Sequence, residues 1–317
     1  MSLAREVSGS SLSAVFDVDS ARAKQVADKL GARVVASAAE VIEAEDVDAV
    51  VIASPDALHA EQALACLAAG KPAMLEKPLA PTMEEAQLVL DAEVGLGRRL
   101  LMLGFMRRFD PGYVALKNAL TSGEVGDALI VHNKHRNAFA PYGVNSAMNL
   151  TNSAVHEVDI NRWLLGADYT WVQVVAGKPG PDVPDGQFDP MFLTLGTTTG
   201  PLVTIELFMT AHYGYEVNCE VVGSEGVLDM GDGSWITRAS AGLRGHEVPE
   251  QWLGRFGEAY RAELQTWIDG IRGVGEVTGA STWDGYLAAL TCRAAVEALT
   301  SNGAVRIEIP NRPALYA

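Results

Sequence analysis

The sequence is short of positive charge. It carries 24 Lys and Arg against 40 Asp and Glu, a formal net charge of -16 over 317 residues. That balance argues against a nucleic-acid partner and against an anionic membrane surface. Cysteine is scarce too. Cys66, Cys219 and Cys292 are widely separated and odd in number, which excludes a disulfide framework and offers no metal-ligand spacing. Free thiols suit a reducing compartment, so a cytoplasmic location is expected. No apolar run is long enough to span a bilayer, and no basic segment followed by an apolar core marks a secretory signal. The serine elbow Gly-x-Ser-x-Gly is absent; Gly223-Ser224-Glu225-Gly226 has the wrong spacing and reads as a hairpin. His132, His212 and His246 have no partners at metal-binding spacing, so no metal is expected.

What is present is 48% apolar and 20% charged sequence, enough for a large core and, at this length, for two domains. The first half alternates. Strands are expected at 11–17, 33–36, 48–53, 73–75 and 100–105, with helices at 20–30, 38–44, 57–69 and 82–94. Ser20 is read as the cap of the first helix, and Thr82 with Glu85 as a capping box for the last. Strands alternating with helices predict a Rossmann-like, doubly wound parallel sheet. One element of such a domain is missing. No glycine-rich turn, which would let the backbone approach a pyrophosphate at a helix start, precedes Asp17, and Gly9 is the only glycine before it. The expectation is an N-terminally truncated dinucleotide domain over 1–104, its first strand and turn absent.

After Phe105 the pattern changes. A helix is expected at 111–120, a strand at 128–136 and a helix at 152–165, where Val155, Ile160, Trp163 and Leu164 fall on helical spacing. Strands at 171–176, 191–195, 203–208, 215–222 and 226–230, with links rich in Gly, Thr and Pro, predict a large open, mainly antiparallel sheet. Residues 177–189 read as a surface loop. Long amphipathic helices at 255–271 and 283–299, the second stopped by Asn302-Gly303, precede a last strand at 305–309. The second domain is therefore taken as an α+β domain over 105–317, with its last helices free to pack back on the first.

The stretch Glu76-Lys77-Pro78 closes the strand at 73–75. In an open α/β sheet ligands bind at the carboxyl ends of strands, and proline restricts the backbone of the residue before it. Lys77 is thus either an aimed catalytic amine or an ordinary lysine at a strand end. His156 is placed in the first turn of its helix, with Asn152 and Asp159 at spacings of four and three on one face. The helix dipole there favours neutral imidazole, a sensible general base; a helix-start histidine bonded to its neighbours fits the same residues. His135-Arg136-Asn137, Arg107-Arg108, Tyr213-Gly214-Tyr215 and Trp283-Asp284-Gly285-Tyr286 are either contacts for a hydroxylated ligand or ordinary surface and core. His59, just after Ser54-Pro55, is either near a cofactor or a capping neighbour.

Taken together, Glu76-Lys77-Pro78, the segment Gly104 to Asp110 (GFMRRFD) and His156-Glu157-Val158-Asp159 resemble the glucose–fructose oxidoreductase/inositol dehydrogenase (Gfo/Idh/MocA) family. His135-Arg136-Asn137, Tyr213-Gly214-Tyr215-Glu216 with Cys219-Glu220, and Trp283-Asp284-Gly285-Tyr286 place the resemblance nearest the family's inositol branch. It runs from about Ser11 to the C-terminal region.

The resemblance implies an NAD-dependent dehydrogenase that oxidises a secondary hydroxyl of a cyclic polyol, first of all myo-inositol to 2-keto-myo-inositol. Another inositol isomer, a sugar, or a catalytically impaired sugar-binding relative are the alternatives. Lys77, His156 and Asn152 would be catalytic. Asp17, Ser54, Pro55, His59, Glu76 and Lys77 would line NAD, with Asp17 on the adenosine ribose, where its charge would repel a 2′-phosphate. Arg107, His135, Asn137, Asp159 and Tyr215 would hold the substrate. The open sheet of the second domain would make a homodimer or homotetramer. One departure stands out: the inositol branch usually has aspartate four residues before the histidine, and here that position is Asn152.

Overall fold

A computed structural model describes residues 7–140, 143–231, 237–275, 278–301 and 303–317. In chain order its first part is β1 (Ala14–Val15), α1 (Ser20–Leu30), β2 (Arg33–Val34), α2 (Ala38–Glu43), β3 (Val50–Ile52), α3 (His59–Ala68), β4 (Ala73–Glu76), α4 (Met83–Leu96) and β5 (Leu101–Gly104). There follow α5 (Pro111–Thr121), β6 (Ala128–Arg136), α6 (Ser146–Met148), a π-helical turn (Asn149–Ser153) and α7 (Val155–Leu165). The strands β7 (Tyr169–Ala176), β8 (Met191–Thr197), β9 (Leu202–Phe208), β10 (Glu216–Gly223), β11 (Val227–Asp229), β12 (Arg238–Ser240) and β13 (Leu243–Gly245) lead to α8 (Leu253–Ile271), α9 (Thr282–Ala298) and β14 (Val305–Arg306). Asn302, half of the expected helix stop, lies outside the described residues.

The chain divides into two compact units. One comprises Met1–Met106, Ala259–Ala289 and Asn311–Ala317; the other comprises Arg107–Glu258 and Leu290–Pro310. Packing explains why the first unit draws on late segments. Met74 and Met102, from β4 and β5, bury themselves against Trp267, with Leu264, Ile268 and Ile271 around them. Leu103 N–H donates to Ala280 O at 2.9 Å, extending the free edge of β5 by one bridge.

In the first unit the strand–helix alternation is parallel throughout, in two pieces. β1 pairs with β2, and β3–β4–β5 form a three-stranded sheet in which Ile52 faces Leu75 and Glu76 faces Gly104. Asp19, not Ser20, caps α1: its carboxylate accepts from the amides of Ala21 and Arg22. An aspartate one residue earlier reaches two orphan donors, which leaves Ser20 as the first helical residue. Thr82 and Glu85 do form the capping arrangement expected of them.

The second unit holds a seven-stranded sheet in the order β11-β10-β6-β9-β8-β7-β14. Every pairing is antiparallel except β6 with β9, which run parallel at its centre. Alternation sorts the side chains. Val131, Leu193, Leu195, Val203, Ile205, Leu207, Val217 and Val221 point inward and are buried, each contributing about 1.5–3 kcal/mol of apolar burial. Residues 177–189 carry no regular element, and among the described residues no helix is long and apolar enough to cross a membrane.

Glu93 ties the first unit together at the amino end of β5. This buried carboxylate accepts from the amides of Leu100 and Leu101, both at 2.7 Å, and from the hydroxyls of Thr282 and Tyr316, both at 2.6 Å. A buried carboxylate is tolerable only when so fully bonded. Glu93→Ala would orphan four donors and cost about 3 kcal/mol of stability. Tyr316→Phe, removing one donor, would cost about 1 kcal/mol. Urea unfolding of the two variants checks the order.

Candidate active site

The carboxyl edge of the parallel strands collects the first set of candidate groups. β1 runs out to Asp17, whose side chain is 27% exposed; it accepts from the Asp19 amide at 2.9 Å and lies 3.6 Å from Arg22. β3 runs out to Ser54 and Pro55, and β4 to Glu76 and then Lys77. Because β3 and β4 are paired in register, these ends lie side by side. Ser54 Oγ donates to Gln62 Oε1 at 2.8 Å. Glu76 needs Gly104 opposite it: a Cβ there would come 3.1–3.2 Å from Glu76 Oε2 and Cα. Burial pushes the Glu76 carboxyl up, and the charges of Lys77 and His59 pull it back. His59 itself is 1% exposed. Its Nδ1 lies 2.7 Å from Pro78 O and its Nε2 3.0 Å from Ser54 O. Both ring nitrogens thus lie against backbone carbonyls of the two turns that carry Ser54 and Lys77.

In the second unit, Arg107 and Arg108 sit on a one-turn helix, Met106–Phe109, just before Asp110 caps α5. Both arginines are turned inward. Arg107 forms a buried ion pair with Glu157, and His135 Nδ1 donates to the other carboxylate oxygen at 2.9 Å. A donating Nδ1 leaves Nε2 as the ring's remaining polar atom. Burial raises the Glu157 carboxyl, but Arg107 and His135 outweigh it and hold the group below the usual carboxylate range. The same pairing keeps Arg107 firmly charged. Tyr215 meets the edge of His135 with ring centres 6.0 Å apart, and burial pushes its phenol up to about 12. It is thus a proton-bearing hydroxyl at neutral pH. Asn137 holds its place through its backbone, its amide on Phe208 O and its carbonyl on the Ala211 amide. Its Oδ1 is buried with no hydrogen-bond partner among the described residues.

One expectation is corrected here. The helix carrying His156 does not start at Asn152. Asn145 caps it earlier, through the Met148 amide, and helical turns run from Ser146 through the π turn into α7. His156 is therefore not at the positive end of a dipole, and the argument for neutral imidazole from that position falls. The π turn is marked by Ala154 N–H on Asn149 O, a bond spanning five residues rather than four. Asp159, expected on a substrate hydroxyl, bonds Arg108 Nε at 2.9 Å and Nη2 at 2.6 Å through its two oxygens, and it is 1% exposed.

Glu157 is the residue that motif reading passed over. It lies on the inner face of α7, while His156 beside it is half-buried. Two arginines in tandem and a histidine on an inward strand position demand a buried acid, and that demand was the available signal. Among the described residues no group of His, Cys, Asp and Glu is arranged to hold a metal.

Known proteins agree with this architecture. The family model described as an oxidoreductase family with an NAD-binding Rossmann fold matches residues 2–105, and its companion C-terminal alpha/beta domain matches 117–307. The chain belongs to the Gfo/Idh/MocA oxidoreductase family. Within the family it is 43% identical over 314 residues to inositol 2-dehydrogenase 4 of Saccharopolyspora erythraea, covering 99% of this chain and 93% of that one. It is 41% identical to the inositol 2-dehydrogenase of Streptomyces avermitilis, covering 98% and 90%. Among solved structures it resembles the myo-inositol dehydrogenase of Lactobacillus casei in complex with NAD(H) and myo-inositol, with a TM-score of 0.93 and 33% identity over 99% of this chain and 94% of that one. A Gfo/Idh/MocA chain with this NAD-binding domain is an NAD-dependent oxidoreductase.

The Glu157 cluster gives this Gfo/Idh/MocA chain a predictable acid response. A carboxyl held below its ordinary value stabilises the fold fully above the ordinary range, and that contribution drains away as pH falls through the depressed value. Glu157→Gln would lower stability at neutral pH by about 3 kcal/mol, because it strands the Arg107 charge in the interior. It would also flatten the acid limb. Urea unfolding between neutral and acid pH checks both.

Proposed function

We propose that this chain oxidises a secondary hydroxyl of a cyclic polyol, with myo-inositol going to 2-keto-myo-inositol as the first choice. The observation that carries the proposal is the likeness to the Lactobacillus casei enzyme, whose structure holds NAD(H) and myo-inositol. The residues present are compatible with NAD. Asp17 is a partly exposed acid at the end of β1, suited to ribose hydroxyls, and Ser54, Pro55 and Glu76 share the carboxyl edge where a nicotinamide would lie. NAD, when bound, supplies the hydride acceptor.

The chain's own residues supply the rest. His156 takes the hydroxyl proton as the carbinol C–H leaves with its electron pair, so that alcohol and NAD⁺ become ketone, NADH and one proton. Lys77 orients the reacting hydroxyl and offsets negative charge developing on its oxygen. Asn137, whose buried Oδ1 has no hydrogen-bond partner among the described residues, and Tyr215, a proton-bearing phenol, fit the remaining hydroxyls. In this reading His135 and Arg107 shape the site from within through Glu157, and Asp159 does the same through Arg108. Asn152 keeps a hydrogen-bonding side chain near the base but brings no charge to support an imidazolium. Loss of such a charge slows serine-protease triads by about 10⁴, so a slow enzyme is expected. A binding-only relative is the second reading, and Asn152 is the feature that favours it.

The test follows NADH formation with myo-inositol and its isomers. Lys77→Met should cost at least about 10² in kcat, and Asn152→Asp should raise turnover. No gain from Asn152→Asp with any inositol would remove the slow-enzyme account. Inositol binding without any NAD reduction would favour the binding-only reading.

We further propose a cytoplasmic homo-oligomer, dimer or tetramer, assembled through the outer face of the seven-stranded sheet, where Val175, Phe192 and Leu202 are exposed. The buried, free cysteines suit that compartment. Phe192→Glu should shift the sedimentation coefficient toward that of a monomer. An unchanged coefficient would place the interface elsewhere.

A further inference from the structure

His59 is buried with a carbonyl oxygen at each ring nitrogen, Pro78 O at 2.7 Å and Ser54 O at 3.0 Å. A carbonyl only accepts. A neutral imidazole has one N–H and one lone pair, so in either tautomer a lone pair would face a carbonyl oxygen at hydrogen-bonding distance. Only a ring protonated on both nitrogens satisfies both carbonyls.

We propose that His59 is a positioning residue, an imidazolium clamped between the Ser54 and Pro78 carbonyls that holds the turn after β3 against the turn carrying Lys77. This rests on the reading that Lys77 acts at the reacting hydroxyl. Sequence and fold make the clamp short. His59 lies five positions after Ser54, and the one-turn helix Asp56–Leu58 folds that link back so that α3 opens with the ring aimed at the sheet edge. Pro78 lies nineteen positions after His59, and the ring closes that distance directly.

The charges around it are mixed. Glu76 ends β4 close enough that the His59 charge acts on its carboxyl, and Lys77 and Asp56 act on the same group. His59 opens α3, where the helix dipole disfavours a cation. The two charge-assisted bonds and the Glu76 carboxylate oppose that. Gln62, one turn along α3, receives the Ser54 hydroxyl, so the same helix grips Ser54 twice. The clamp therefore spans two strand ends, the Ser54-Pro55 turn on one side and the Glu76-Lys77-Pro78 turn on the other.

Ring protonation is read by nitrogen NMR on histidine-labelled protein at neutral pH, assigned through ring-to-backbone correlations. Protons on both His59 nitrogens support the clamp, and one bare nitrogen overturns it. His59→Asn keeps at most one of the two contacts. It should weaken NADH binding about tenfold, the worth of one charge-assisted hydrogen bond, and lower kcat while the KM for inositol stays near the wild-type value. Calorimetric NADH affinity equal to wild type in a folded His59→Asn protein overturns the positioning role. If wild type reduces no NAD with any polyol, the substrate reading falls, and ring protonation with NADH affinity still decides the clamp.

Discussion

The buried ion pair between Arg107 and Glu157 is the contact on which the second unit turns. Two charges taken out of water repay their desolvation only when geometry is good and the remaining lone pairs are filled. Here His135 fills the second carboxylate oxygen. Three elements are thereby fixed to one another: the turn before α5, the inner face of α7 and an inward position of β6. Arg108 and Asp159 repeat the arrangement two residues along α7. With Glu157 and Asp159 held inside, the orientation of α7 about its own axis is set, and the side chain between the two ion pairs in α7 and the one just before them, Val158 and His156, have no freedom to choose their faces. The direction of His156 is a by-product of where its neighbours' charges are buried.

The first unit achieves order differently, by tying strands at both ends. Glu93 gathers two β5 amides and two distant hydroxyls at the amino end, and His59 gathers two carbonyls at the carboxyl end. Between them the parallel strands are short, three or four residues each, too short to be held by ladder hydrogen bonds alone. Gly104 shows how close the fit is, since a Cβ there would lie 3.1–3.2 Å from Glu76, which would have to give by a few tenths of an ångström. Satisfied polar groups in the interior specify which strand end lies beside which, a task apolar packing performs loosely.

Much of this was legible in the residues. β6 occupies the 128–136 expected from its alternation, and the Thr82–Glu85 cap and the change of pattern after Phe105 follow from local chemistry. What escaped had no local signature. A period of two does not say whether a neighbouring strand is parallel, so the β6–β9 pair was invisible. A π turn inserts one residue without altering composition, so the helix before His156 was started too late. Asp19 and Ser20 are both good caps, and only the backbone at Asp19 decides between them. Glu157 was hidden by its neighbour: adjacent helical residues face apart, so attention to His156 drew the eye away from the acid behind it. The Gfo/Idh/MocA resemblance pointed to Arg107, His135 and Asp159 as contacts for substrate, and the carboxylates and guanidinium they meet in the fold are non-local facts.

β6 carries two charge systems on opposite sides of one sheet. His135 points inward to Glu157. Arg136, the next residue, points outward, where its guanidinium bonds both Glu206 oxygens at 2.6 and 2.9 Å and reaches Tyr213 and Glu216 at 3.0 Å. Lys134 and His132 lie on that outer side as well, the latter 2.8 Å from Thr204. The odd and even positions of a single strand are thus two separate mutational territories. Drift among 132, 134 and 136 can remodel a surface while 131, 133 and 135 stay untouched, so relatives built on this strand are free to change neighbours without changing chemistry, and the reverse.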